Sequence, residues 1–112
     1  MKYEISIILN FDSIATALNL FNFLDSKKNE ASPELDDNAP SLNSVFGDGY
    51  QVTSTFRLDT QNERDTILNY IQSNQSLIQN GKINYHDCYH DEGGSCENMQ
   101  EIIIGDYEGE LV

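Results

Sequence analysis

The chain is expected to fold as an α+β domain of ferredoxin-like βαββαβ order, with an extra C-terminal antiparallel strand and two helices on one face of the sheet. Three observations lead there. Apolar residues alternate along 2–11, with Tyr3, Ile5, Ile7 and Leu9 on one side, the pattern of a half-buried strand. Apolar residues recur instead at helical spacing in two later segments, around 14–26 and 61–78. The resulting run is strand, helix, short strand, strand, helix, strand, strand, and its first six elements follow the split βαβ order. Two amphipathic helices packed on one face of such a sheet bury both apolar stripes.

Each element has its own signal. After the first strand, Asp12 or Ser13 offers a helix N-cap. Ile14, Ala17, Leu18, Phe21 and Leu24 then mark a helix to about 26, with Lys27 and Lys28 placed to complement its C-terminal dipole. From 29 to 40, Pro33, Asp36, Asp37, Asn38 and Pro40 break the periodicity, so a mobile acidic loop is expected there. A short strand at 41–46 and the turn Gly47-Asp48-Gly49 lead into a strand at 50–58. Thr60-Gln61-Asn62-Glu63 has the spacing of a capping box. It opens a helix carrying Ile67, Leu68, Ile71, Leu77 and Ile78, ended by Asn80-Gly81. Two further strands are expected at 82–90 and 100–108, with Gly93-Gly94 supplying the turn between them. One domain over residues 1–112 accommodates all of this.

Charge is the outlying property of the composition. Nineteen Asp and Glu against six Lys and Arg give a net charge of -13, which repels nucleic acid and anionic membranes and attracts basic partners. From Tyr85 onward eight carboxylates meet no Lys or Arg. No segment reaches the roughly 20 apolar residues of a membrane span. The first residues lack the cleavage pattern of a signal peptide and carry Glu4 within the apolar run. A cytoplasmic location is therefore expected, where cysteines stay reduced.

Both histidines and both cysteines of the chain, His86, Cys88, His90 and Cys96, fall within eleven positions. Alternation on a strand projects His86, Cys88 and His90 to one face and Tyr85, Asp87, Tyr89 and Asp91 to the other. After a turn, Cys96 would return close to His90. Two imidazoles and two thiolates suit tetrahedral zinc. Ligands two apart on a flat strand are about 7 Å apart, so convergence on one ion needs a bulge or a tight loop. The alternatives for the cysteines are small buried apolar side chains, a disulfide across the hairpin, or a Cys-His nucleophile pair. The surrounding carboxylates disfavour a reactive thiolate, and adjacent His and Asp residues on a strand face opposite ways, so no enzymatic activity is expected.

Gly47-Asp48-Gly49 is too short for a phosphate loop, and Asp36-Asp37-Asn38 lacks the ligand spacing of a calcium loop. The tyrosines Tyr50, Tyr85, Tyr89 and Tyr107 lie among carboxylates, a composition suited to protein contacts and not to nucleic acid. The reading these features favour is a small acidic protein that inhibits or neutralises a basic partner, such as a nuclease or nucleic-acid-binding protein, through Asp87, Asp91, Glu92, Glu97, Asp106, Glu108 and Glu110. In size and charge the chain resembles toxin-immunity proteins and DNA mimics, in which carboxylates stand in for phosphates. That reading needs no cofactor. The alternative is a metal- or small-ligand-binding module with zinc held by His86, Cys88, His90 and Cys96. A homodimer joined through the last strand is a further alternative.

Overall fold

The computed structural model describes residues 2–31, 40–45, 49–89 and 92–107. The architecture is α+β. In chain order it runs β1 (Lys2–Phe11), α1 (Ile14–Ala31), β2 (Ser41–Val45), β3 (Gly49–Leu58), α2 (Gln61–Ser73), β4 (Asn80–Cys88) and β5 (Cys96–Ile104). The five strands form one antiparallel sheet in the order β2-β3-β1-β4-β5. β1 is thus central, β2 and β5 are the outer strands, and the β4–β5 hairpin ends beside the start of β1.

The core follows the alternation of the strands. Ile5, Ile7, Leu9 and Phe11 of β1 are buried together with Val52, Phe56 and Leu58 of β3, Ile83 of β4 and Ile104 of β5. Ala17, Leu20 and Leu24 of α1 and Ile67, Leu68 and Ile71 of α2 complete the same cluster. The helices meet where the rings of Phe23 and Tyr70 stack with centroids 3.7 Å apart. The buried stripe of α1 differs from the expected one, because Ile14 and Leu18 are exposed and Leu20 is buried. Apolar residues surround much of this helix, so its sequence leaves the inward face ambiguous.

Helix boundaries also depart from expectation. α1 continues past 26 to Ala31, because nothing between Lys27 and Ala31 breaks a helix and the first obstruction is Pro33, which disfavours helical backbone at the residue before it. Most of the acidic loop expected at 29–40 lies outside the described residues. α2 stops earlier than expected, at Ser73, where the backbone N–H of Asn74 donates to the carbonyls of Tyr70 and Ile71 and its side-chain amide donates to Tyr70 O at 2.8 Å. A short 3-10 turn, Gln75–Leu77, follows, leaving Leu77 exposed and Ile78 buried. Asn80 and Gly81 therefore begin β4 instead of ending a helix. Gly81 is required by packing, since a Cβ there would stand 2.5 Å from the carbonyl oxygen of Ile8 on β1. Of the expected capping box the N-cap half forms, with Thr60 Oγ1 accepting from the N–H of Glu63 at 3.2 Å, while Glu63 Oε1 accepts from the Thr60 hydroxyl at 2.8 Å. Among the described residues no helix is long and apolar enough to cross a membrane.

Candidate metal site on the β4–β5 hairpin

Directly paired residues of an antiparallel sheet point to the same face. The register therefore sets out two neighbouring rows on the face opposite Ile5 and Ile7. One row is Arg57–Glu4–His86, across β3, β1 and β4. The other is Lys2–Cys88–Cys96, across β1, β4 and β5. His86, Cys88 and Cys96 meet there, each offering a ligand atom within 4.8 Å of the others. Cys88 is buried at 2% exposure, and His86 and Cys96 are half-buried. His90, the fourth ligand candidate, lies outside the described residues.

Cys96 reaches this face because the hairpin is irregular. Tyr85 pairs with Gln100 and Asp87 with Glu97, so two steps along β4 are matched by three along β5. This bulge holds Asn98 and Met99 opposite His86. From Ile104 back to Gln100, the even-numbered residues of β5 share the core face. An unbroken ladder would turn Cys96 to that face too, whereas the bulge reverses the parity and pairs Cys96 with Cys88. The expected neighbour of Cys96 was position 90, and the observed register places its partner two residues earlier. Asn98 has φ of 56°, in the left-handed region where Asn is enriched among non-glycine residues.

Asp87 fastens the bulge from the opposite face. Its Oδ2 accepts from Asn98 Nδ2 at 2.7 Å, and its Oδ1 accepts from Arg64 Nη1 at 3.4 Å. Arg64 is itself buried on α2, donates to Asp65, and lies over the rings of Tyr3 and Tyr85 at 5.3 and 4.8 Å from their centroids. The chain of contacts from α2 through Arg64 and Asp87 to Asn98 thus holds the conformation that sets where Cys96 points.

The electrostatics around the three ligand candidates are mixed. Glu4 bridges its row, with Oε2 at 3.5 Å from Arg57 Nε and Oε1 at 3.8 Å from His86 Nε2. Arg57 Nη2 also donates to Cys88 Sγ at 3.6 Å. Partial burial, the neighbouring Cys88 and then Glu4 hold the Cys96 thiol above its ordinary pKa, and Arg57 acts in the opposite sense. A divalent cation would reverse that balance, since it stabilises thiolate directly.

Compared with protein-family models, curated proteins and solved structures, the chain matches none.

The acidic residues read as a contact surface divide into separate groups. Glu92, Glu97 and Asp106 are exposed. Asp87 is only 16% exposed at its side chain and is engaged by Arg64 and Asn98. Asp91, Glu108 and Glu110 lie outside the described residues. Glu4, Arg57, Arg64 and Asn98 were not singled out from the sequence. Glu4 and Arg57 become neighbours of His86 only through strand register. Asn98 did leave a signal, since Asn is depleted in strands and here interrupts one.

Proposed function

We propose that this protein binds zinc at the β4–β5 hairpin, with His86, Cys88 and Cys96 as ligands. The observation that carries the reading is the convergence of these three donors within 4.8 Å on one sheet face. Tetrahedral zinc with Zn–S of about 2.3 Å and Zn–N of about 2.0–2.1 Å needs donors roughly 3.5–3.8 Å apart. Side-chain rotations closing about 1 Å bring the cluster to that geometry. Two thiolates and an imidazole suit zinc better than magnesium or calcium, which prefer oxygen. The bulge meets the geometric objection raised by a flat strand, because one of the thiols comes from the facing strand. A fourth position is left for water or another donor. A reducing compartment such as the cytoplasm would keep both thiols available.

Glu4 acts in this reading as a positioning residue. Its carboxylate, with Oε1 3.8 Å from Nε2, would orient the His86 ring and leave Nδ1 to serve as the ligand atom. Glu4→Gln is expected to weaken zinc binding about tenfold, measured by competition with a chelating dye. An unchanged Kd would remove Glu4 from the site. The reading as a whole is tested by metal analysis after native purification and dialysis. One zinc per chain is expected for the native protein and none for Cys88→Ser or Cys96→Ser. Zinc-free native protein that takes up none on titration would end the proposal.

The fold that carries this site is read as ferredoxin-like, with β2-β3-β1-β4 as its four strands, β5 appended beside β4, and both helices on one face. The strand order, the shared core and the Phe23–Tyr70 stack support that assignment.

A second reading, the acidic ligand for a basic protein, draws on the exposed carboxylates Glu97 and Asp106 on and just after the outer strand β5, where Glu101 is already paired with Lys82 Nζ at 3.1 Å. Glu92, just before β5, adds a further exposed carboxylate. Affinity for an arginine-rich probe peptide should then fall steeply as salt rises from low to physiological concentration. No binding of the probe at low salt would exclude this second role.

A further inference from the structure

Cys88 and Cys96 oppose one another directly in the register. Directly opposed residues of an antiparallel pair have Cα atoms about 4.5–5.5 Å apart, within the span of about 4.4–6.8 Å that disulfides bridge. The two sulfurs belong to the same 4.8 Å cluster, and both residues are thiols in the structure. Cys96 is half-buried on the outer strand and Cys88 is buried beneath the same face. The pair therefore has an outward thiol that a small reagent can reach and an inward thiol in position to displace it.

We propose that Cys88 and Cys96 form a reversible oxidation site, in which a low-molecular-weight disulfide converts the pair to an intramolecular disulfide and expels the ion. This rests on the zinc-binding reading above. In the first step the Cys96 thiolate attacks one sulfur of the small disulfide, forming a mixed disulfide and releasing one small thiolate. In the second, the Cys88 thiolate attacks the Cys96 sulfur, closing the protein disulfide and releasing the other small thiolate. The two protein thiols lose two electrons and two protons, and the small disulfide gains them as two thiols. Zinc competes because thiolate is the metal-ligating form, and neither sulfur of a disulfide is a thiolate. With both sulfurs consumed, His86 is the one remaining ligand of the three. The same bulge that builds the metal site thus makes it interruptible.

The test equilibrates zinc-free and zinc-loaded protein in graded mixtures of oxidised and reduced glutathione, followed by intact mass, thiol counting and zinc release. The zinc-free chain is expected to lose both thiols without gaining a glutathione adduct. With zinc at about 100 times its Kd, half-oxidation should require roughly a hundredfold more oxidised glutathione, because the ion binds the reduced form alone. His86→Ala should form the disulfide while losing most of that protection. Adducts on the separate cysteines without an intramolecular bridge would overturn the inference while leaving the zinc reading intact. A bridged chain that still binds zinc as tightly as the reduced one would overturn the inference too. Bridge formation in a reduced chain that never binds zinc would instead remove the zinc reading, and the claim of expulsion with it.

Discussion

Deleting Asn98 and Met99 together is expected to abolish zinc binding, whereas deleting Asn98 alone is expected to preserve it. The smaller lesion removes the extra residue of the bulge. Met99 then pairs with His86, Glu97 with Asp87 and Cys96 with Cys88, so both thiols keep their common face. The larger lesion leaves Glu97 opposite His86 and Cys96 opposite Asp87, on the core face. The hairpin could restore the cysteine pairing only by sliding the rest of β5 one residue along β4. That slide would turn Ile104, now 3% exposed, and Ile102, packed against the core, toward the other face. A register slip inverts every side chain of a strand, so burial of these two residues holds the register and Cys96 is what moves. Calorimetric zinc titration of both variants reads the outcome. Wild-type affinity in the double deletion, or none in the single one, would refute the assignment of parity to the bulge.

The second large effect is on stability. Arg64→Ala is expected to destabilise the fold by about 3 kcal/mol in denaturant unfolding, the lower end for removing one partner of a buried ion pair, because Asp87 keeps some solvent contact. The guanidinium joins Asp65, Asp87, Tyr3 and Tyr85, and its removal strands the Asp87 carboxylate between α2 and the bulge. Arg64→Lys should recover only part of the loss, since an ammonium cannot reproduce the planar fork that reaches both carboxylates. A loss under about 1 kcal/mol for Arg64→Ala would mean that the contacts are those of an ordinary surface pair.

Much of the fold was legible because burial here follows simple periods. Ile5, Ile7, Leu9 and Phe11 alternate on β1, and the Thr60 cap marks the start of α2. The less legible parts are those decided by tertiary pairing. The end of α2 is set by an Asn74 side chain that returns to Tyr70 O, and the Asn80-Gly81 pair, a helix stop in isolation, is a strand start once Gly81 must pack against Ile8. β5 begins at Cys96 and not near 100 because its first residues are exposed and straddle a bulge, which erases the alternation that marks a strand. The cluster of donors was visible as composition. Its geometry was not, since strand alternation predicts the shared face of His86 and Cys88 but cannot supply the parity change that adds Cys96. Glu4 and Arg57 are 82 and 29 residues from His86 in sequence, and only the sheet order makes them neighbours.

In the proposed site one zinc ion is held by the sulfurs of Cys88 and Cys96 and an imidazole nitrogen of His86. Zinc-edge X-ray absorption of the metal-loaded protein tests it most directly. Two sulfur scatterers at about 2.3 Å with nitrogen or oxygen at about 2.0 Å are predicted. A shell of oxygen and nitrogen alone would place the metal on the acidic surface and rule out the hairpin site.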